Sequence, residues 1–287
     1  MSRYLLRDVL AGTGGELRGT MPEGHIFPRM ERDARRVMPG DLYLAVRGER
    51  FDGNMFTPDA ERRGAAAAIV SQEWADTHAD TSMPLVVVGD TIQALQRWAT
   101  WRRARLNAVV VGVTGSVGKT SAKESIAAVL GQSRKTYRSP GSYNNEIGLP
   151  LSLLEADEDV GAIVLEMGGA YALGEITMLA GIARPQIGVV TNVHPVHLER
   201  MGTIEAIAQT KSELPAALPG DGIAVLNGDD PRVRAMADVT SARVLFYGME
   251  PHNHVRAESV TTAGLRGSTF WLTIDGERNF VKVPFVG

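Results

Sequence analysis

The sequence predicts an α/β protein: a small α/β domain first, then a larger P-loop domain with a mostly parallel sheet and a small antiparallel addition. Three observations predict this. Short apolar runs alternate with helical patterns along most of the chain, as repeated βα units do. One such run, residues 108–113, is apolar and mostly β-branched, which marks a strand buried on both faces of a parallel sheet. It leads into Thr114-Gly115-Ser116-Val117-Gly118-Lys119-Thr120 and a helical pattern over 123–130. Toward the end, short strand-like runs are separated by Gly264, Gly267 and Asp275-Gly276, the punctuation of antiparallel pairing.

The elements follow in order. Residues 3–11 pattern as a short amphipathic helix ending at Gly12-Thr13-Gly14-Gly15, and Pro22, Gly24 and Pro28 keep the next stretch irregular. Pro39-Gly40-Asp41 turns into a strand over 42–46, and a polar, glycine-bearing loop runs from Arg47 to Asn54. A helix over 56–63 and strands over 66–70 and 85–88 complete a small α/β domain. The helix over 91–106 sets Leu95, Trp98 and Ala99 on one face and Arg97, Arg102, Arg103 and Arg105 elsewhere; these arginines read as a solvated face. The expected domain boundary lies near 106, dividing the chain into 1–106 and 107–287.

In the second domain the loop 139–148 precedes a helix over 149–154 and a strand over 162–165 that ends in Glu166. A helix over 174–183 and a strand over 187–190 lead to Thr191-Asn192. Thr203 is the expected N-cap of a helix to 214, with Glu205 in its first turn. A strand over 223–226 ends in Asn227-Gly228-Asp229-Asp230, and Pro231 opens a helix. Strands over 255–259, 269–274 and 281–283 form the antiparallel addition.

Composition narrows the function. Hydrophobic residues are 44% and charged residues 22% of the 287, ordinary for a globular protein of about two domains. A formal net charge of −3 gives no basic field for nucleic acid. The absence of cysteine excludes disulfides, thiolate metal sites and cysteine nucleophiles. The first residues lack the apolar core of a signal peptide, and no stretch approaches the roughly 18 apolar residues of a membrane span. A cytoplasmic protein without membrane insertion is expected.

The chemistry gathers where strands end, which is where open α/β sheets bind ligands. Strand, glycine loop and helix N-terminus make a phosphate cradle of Thr114, Gly115, Ser116, Val117, Gly118, Lys119 and Thr120. Lys119 would reach β- and γ-phosphates and the Thr120 hydroxyl would sit on Mg²⁺. Val113 stands where the usual P-loop pattern has a glycine. Glu166 is a carboxylate placed for Mg²⁺ beside a triphosphate. Asn192 is followed by His194-Pro195-Val196-His197-Leu198-Glu199, and Lys211 lies in the next helix, where spacing alone would not single it out. Asn227 and Asp229-Asp230 read equally as holders of a base or ribose and as a turn plus helix cap. No Asn-Lys-x-Asp guanine motif is present, which argues against a GTPase switch.

Four segments together resemble the Mur ligases, the ATP-dependent amide ligases of peptidoglycan precursor synthesis: residues 112–120, Tyr143-Asn144-Asn145-Glu146-Ile147-Gly148, Leu165-Glu166-Met167-Gly168, and His197-Leu198-Glu199 with Lys211-Ser212-Glu213. The Asn-Asn-Glu-Ile-Gly stretch is similar to the branch that adds D-Ala-D-Ala to UDP-MurNAc-tripeptide. The run 39–48 with Phe51-Asp52-Gly53 resembles the family's N-terminal uridine-nucleotide-binding domain. Val113 in the first P-loop position is normal for the family.

The resemblance implies ATP and two Mg²⁺ sites, and an acyl phosphate on the way to an ADP-forming ligation. Lys119 and the loop would hold phosphates, Thr120 and Glu166 one Mg²⁺, and His197 the second. Lys211 matches the family lysine that carries a carbamate. Asn144 and Asn145 would face phosphate and substrate, and Asn227 and Asp230 the nucleoside. A monomer is expected. Two departures stand out. Ala34 replaces the serine usual between Asp33 and Arg35, removing a hydroxyl from the uridine site. Family members also continue past the position of Gly287 into a C-terminal domain, so this chain is expected to be inactive alone. The alternatives are a sister ligase adding a single amino acid and a nucleotide-binding fragment without turnover.

Overall fold

The computed structural model describes residues 4–48, 51–78, 80–169, 172–196 and 198–284. The chain forms two compact units: Met1–Ala108 with Glu146–Gly161, and Val109–Asn145 with Ala162–Gly287.

The first unit is built on five strands in the order Glu16–Arg18, Leu85–Val88, Ala67–Ser71, Leu42–Leu44, Met30–Glu31. The first pair is antiparallel and the rest are parallel. Leu42, Tyr43, Leu44 and Ala67 through Val70 are all buried, as the middle strands of a covered parallel sheet require. Glu16–Arg18 and Met30–Glu31 are too short and too polar for apolar alternation to reveal. Asp90 caps the helix Thr91–Arg103 by accepting from the Gln93 N–H at 2.8 Å. That helix buries Leu95, Trp98 and Ala99 as expected, but Arg103 does not join the solvated face. It is buried, and its guanidinium donates to the Leu106 carbonyl at 3.1 Å, closing the helix C-terminus. The helix Gly148–Glu155 packs on Thr91–Arg103. Every residue from Gly148 to Leu154 is buried, so this helix is covered on all sides. Gln96 and Arg102 tie this returning segment down, at the Glu146 carbonyl (3.1 Å) and the Glu158 carboxylate (2.7 Å).

The second unit carries a nine-stranded sheet. Its order is Glu277–Val283, Ser268–Ile274, Val255–Thr262, Arg243–Gly248, Ile223–Asn227, Ile187–Val190, Val109–Thr114, Ala162–Glu166, Thr136–Arg138. The seven strands from Thr136–Arg138 to Val255–Thr262 are parallel; the last two turn back as antiparallel hairpins. Strands that follow Val109–Thr114 in sequence first lie on one side of it and later on the other, so the order reverses at this strand. Such a switch point opens a crevice at the carboxyl ends of the strands. The register fixes what borders it: Glu166 lies opposite Val113 and Val190 opposite Thr114.

Candidate active site

The phosphate loop is shaped by two glycines. Gly115 has φ +143°, and a Cβ there would lie 2.0 Å from the Thr191 hydroxyl. Gly118 has φ +80°, in the left-handed region that a side chain disfavours, and it is the N-cap of the helix Lys119–Leu130. The helix thus opens directly at Lys119, a turn earlier than the sequence pattern shows. Its first backbone N–H groups lack acceptors one turn back and carry the positive end of the helix dipole. The N–H groups of Ser116 and Val117 are engaged elsewhere, by the Asn192 carbonyl (2.9 Å) and the Asn192 side-chain oxygen (3.0 Å). Anion donors at this loop therefore come from Gly118, Lys119 and Thr120 rather than from the middle of the loop.

Lys119 is half-buried, and its ammonium donates to the carbonyls of Gly115 (2.9 Å) and Ser116 (3.2 Å). Burial pulls its pKa below the ordinary lysine value, while the nearby Glu166 charge pulls the other way. Both acceptors are weak neutral carbonyls, so phosphate oxygens would compete well for this cation. Next to it, Thr120 donates to Glu166 Oε2 at 2.8 Å, and Asn144 Nδ2 donates to Glu166 Oε1 at 2.7 Å. Glu166 is only 2% exposed, and its own N–H reaches the Ser139 hydroxyl at 3.3 Å. Among the described residues neither oxygen of this buried carboxylate is in an ion pair; each accepts from a neutral donor. One hydroxyl and one carboxylate facing each other suit Mg²⁺, which takes hard oxygen ligands and completes its octahedron with water and phosphate. Among the described residues no group of three histidine, cysteine or carboxylate ligands forms a ready metal cage. His197 lies outside the described residues.

Lys211 is 4% exposed on the helix Ile204–Ala216, and its ammonium donates to the Gly169 carbonyl. Its pKa is pushed down to about 8, first by burial and then by the Lys119 charge; Glu175 and Glu213 oppose this. The structure therefore gathers Lys119, Thr120, Asn144, Glu166 and Lys211 around one crevice, and their charges interact. Asn145 is exposed at the end of the same loop as Asn144.

Asn227 and Asp230 have tasks within the fold. Asn227 Nδ2 donates to the Thr191 carbonyl at 2.9 Å. Asp230 caps the helix Pro231–Arg234 at the Arg232 N–H (2.9 Å) and accepts from the Val193 N–H at 2.8 Å. Together they hold the segment that grips the phosphate loop. Beside them a cavity of about 630 Å³ is lined by Gly228, Asp229, Arg234, Phe246 and His252 among others.

The first unit has its own cavity, of about 530 Å³, walled by Phe51, Phe56, Tyr43 and the Asp33-Ala34-Arg35 turn. Phe51 is 72% exposed, a large apolar ring offered to a ligand or to solvent. Tyr43 donates to the Gly53 carbonyl at 2.8 Å, and burial raises its pKa, so it stays a phenol that pins the turn behind Phe51. Hydrogen bonds from Arg35 hold Asp33 at about 2, an anion at any physiological pH.

Three further residues support the site through contacts that the sequence does not assign to them. Asn192 clamps the phosphate loop, with its Nδ2 also donating to the Val117 carbonyl at 3.1 Å. Glu213 caps the helix Glu175–Ala183 through the N–H groups of Gly174 (2.7 Å) and Thr177 (2.9 Å). Lys123 is wholly buried. Its spacing four residues after Lys119 is the only hint in the sequence.

Comparison with known proteins agrees with this geometry. The profile of the Mur ligase middle domain matches residues 113–287, and that of the Mur ligase family catalytic domain matches 29–100. A UDP-N-acetylmuramoyl-tripeptide–D-alanyl-D-alanine ligase of Bacillus subtilis (strain 168) is 33% identical over an alignment covering 100% of this chain and 61% of the relative. A crystal structure of MurF from Acinetobacter baumannii superposes with TM-score 0.90 at 26% identity, covering 100% of this chain and 62% of the other. A MurF ligase from Thermotoga maritima, solved in complex with ADP, superposes with TM-score 0.78 at 32% identity, covering 89% and 58%. The chain thus spans about 60% of the length of these relatives.

Proposed function

The chain belongs to the Mur ligase family, and from that membership we propose that it serves an ATP-dependent, ADP-forming ligation joining D-Ala-D-Ala to UDP-MurNAc-tripeptide in peptidoglycan precursor synthesis. The observation that carries this reading is the meeting of Lys119, Thr120, Glu166 and Lys211 at the switch point of a parallel sheet. These groups neutralise and position phosphates, and they supply no protein nucleophile. The relatives named above favour the D-Ala-D-Ala branch over one adding a single amino acid.

A carboxylate does not condense with an amine in water, so the tripeptide carboxylate has to be activated. Lys119 would leave the carbonyls of Gly115 and Ser116 for β- and γ-phosphate oxygens, and the N–H groups opening its helix would hold the same anion. Thr120 and Glu166 would hold a Mg²⁺, which supplies the charge that offsets the triphosphate. The carboxylate oxygen attacks the γ-phosphorus, ADP leaves, and an acyl phosphate remains. The amine of D-Ala-D-Ala then attacks the acyl carbon; the carbon–oxygen bond breaks, inorganic phosphate leaves, and the amine proton passes to solvent or phosphate. Both steps depend on orientation and charge stabilisation.

Lys211 would carry a carbamate. Carbon dioxide adds only to a neutral amine, and a pKa of about 8 leaves about a tenth of the side chain neutral at pH 7, against well under a thousandth for an ordinary lysine. The product is an anion facing Lys119, which turns a repulsion into an attraction. His197 would serve the second Mg²⁺. Asn144 and Asn145 would face γ-phosphate and tripeptide, and the nucleoside would lie toward the turn Asn227–Asp230. The uridine nucleotide would occupy the cavity walled by Phe51 and Phe56. ATP and a UDP-linked precursor are cytoplasmic metabolites, so this is where the protein would act, as a monomer.

The test is phosphate release by a full-length version given ATP, Mg²⁺, UDP-MurNAc-tripeptide and D-Ala-D-Ala. Release should require both acceptors. Equal turnover with a free amino acid in place of the dipeptide would reassign the branch, and turnover without either acceptor would remove the ligase reading.

A further inference from the structure

Lys123 is a cation inside the second unit that folding alone does not call for. It is fully buried, and an ammonium out of water is tolerated only when every N–H has a partner. Its three donors find three acceptors: the carbonyls of Ser139 (2.7 Å) and Gly141 (2.6 Å) and the Glu124 carboxylate (3.2 Å). Two of these belong to the loop that ends at Asn145. The same loop is fastened at its other end to the Glu166 strand, where Asn144 Nδ2 meets Glu166 Oε1 (2.7 Å) and the Asn144 carbonyl accepts from the Gly168 N–H (2.7 Å). Ser139 also takes the Glu166 N–H on its hydroxyl. A hydrophobic residue at position 123 would fill the space without the desolvation cost, so a lysine there points to a requirement on the loop.

We propose that Lys123 is a positioning residue for the cation site: it fixes the loop 139–145 on the P-loop helix, so that Asn144 orients the Glu166 carboxylate toward Thr120. The path is short and continuous. Lys123 lies one helical turn after Thr120, on the same helix whose N-terminus receives the phosphates. Thr120 holds one oxygen of Glu166 from the helix, and the loop that Lys123 anchors holds the other. Without that anchor the loop keeps only its ties to the Glu166 strand, and the Asn144 bond, one of the two that set the rotation of the Glu166 carboxylate, is no longer fixed to the P-loop helix. Groups that orient a metal-binding carboxylate in this way typically change metal affinity by about 10–100-fold when removed.

This inference rests on the nucleotide-and-Mg²⁺ reading above, and its test separates the two. ADP affinity is measured by calorimetry on this chain, in EDTA and in excess Mg²⁺; the ratio is the Mg²⁺-linked gain. Lys123→Met should cut that gain at least about tenfold and change affinity in EDTA less than about threefold. A purely structural role would lower both affinities together. Asn144→Ala, which leaves the buried lysine in place, should cut the gain similarly, and the double variant should lose little more than Asn144→Ala alone. A full Mg²⁺-linked gain in Asn144→Ala, or in a folded Lys123→Met, would overturn the proposal, and the Asn144 arm decides it even where Lys123→Met does not fold. Failure of the unmodified chain to bind ADP with Mg²⁺ would instead count against the nucleotide reading itself.

Discussion

Replacing Lys211 by methionine should change how stability depends on pH in a direction set by burial. The folded chain holds this lysine at about 8, against 10.5 for an ordinary lysine. Below pH 8 both folded and unfolded chains carry the proton, and the folded state bears the full penalty of a buried charge next to Lys119. Between about pH 8 and 10.5 the unfolded chain binds the proton more tightly, so the stability of the unmodified chain rises with pH; above 10.5 the penalty is gone. At 1.36 kcal/mol per pH unit, the unmodified chain should gain roughly 2–3 kcal/mol on the Lys211→Met variant between pH 7 and pH 10. At pH 7 the variant should be neutral to about 2 kcal/mol more stable, because relief of a penalty of roughly 3 kcal/mol is only partly offset by an unpaired Gly169 carbonyl, about 1–3 kcal/mol. The assay is denaturant unfolding of both proteins from pH 7 to pH 10 in buffers freed of CO₂, since a carbamate would replace the cation. Lys119 titrates in both proteins and cancels to first order. Curves that stay parallel within about 0.5 kcal/mol would refute the argument that Lys211 is held as a strained cation. If Lys211 serves the ligation as proposed, turnover by a full-length Lys211→Met should be lost.

Lys119→Ala should leave the unfolding midpoint unchanged or higher and weaken ADP binding at least about a hundredfold, read by calorimetry, since charge-assisted bonds to phosphate contribute roughly 1.5–3 kcal/mol each. Gly115→Ala, with its Cβ against the Thr191 hydroxyl and φ in the positive region, should cost more than about 2 kcal/mol in denaturant unfolding and abolish nucleotide binding. Asp230→Ala should lower stability by about 2 kcal/mol through the lost helix cap and the released Val193 N–H, while Mg²⁺–ADP affinity falls less than tenfold; the reverse pattern would make Asp230 a nucleoside ligand rather than a cap. With ¹³C-labelled bicarbonate and Mg²⁺, a carbamate resonance should appear in the unmodified chain and be absent from Lys211→Met.

Much of the fold was legible because buried parallel strands announce themselves. The runs before Thr114, Glu166, Thr191 and Asn227 are apolar and end in polar residues, and that alone places the chemistry along one edge of the sheet. The strand Arg243–Gly248 does carry a signal, the apolar and β-prone run Val244-Leu245-Phe246-Tyr247 closed by Gly248, which the reading by βα units leaves out. Thr136–Arg138 is a short polar strand that exists only through pairing with Ala162–Val164. Lys119, Thr120 and Glu166 could be named from strand-end position. Lys211 could be named only by family resemblance, because nothing in its helix shows that it is buried. Asn192, Glu213 and Lys123 act across the fold on backbone groups far away in sequence, and a carbonyl or N–H partner carries no residue identity that a sequence could display. Asn227 and Asp230 fit both a nucleoside site and a turn with a helix cap; the structure makes Asp230 the cap and engages both in holding the segment 191–193.

In the proposed reaction this site activates a peptide carboxylate by phosphorylating it. The most direct measurement uses UDP-MurNAc-tripeptide labelled with ¹⁸O in its terminal carboxylate, turned over by a full-length version with ATP, Mg²⁺ and D-Ala-D-Ala. Attack of that carboxylate on the γ-phosphorus, followed by loss of phosphate to the amine, transfers one labelled oxygen to each phosphate released. Phosphate should carry a single ¹⁸O in step with amide formed, and phosphate from the Lys119→Ala variant should carry no label above background. Amide formation with unlabelled phosphate would contradict it, because the carboxylate oxygen would then have left by another route.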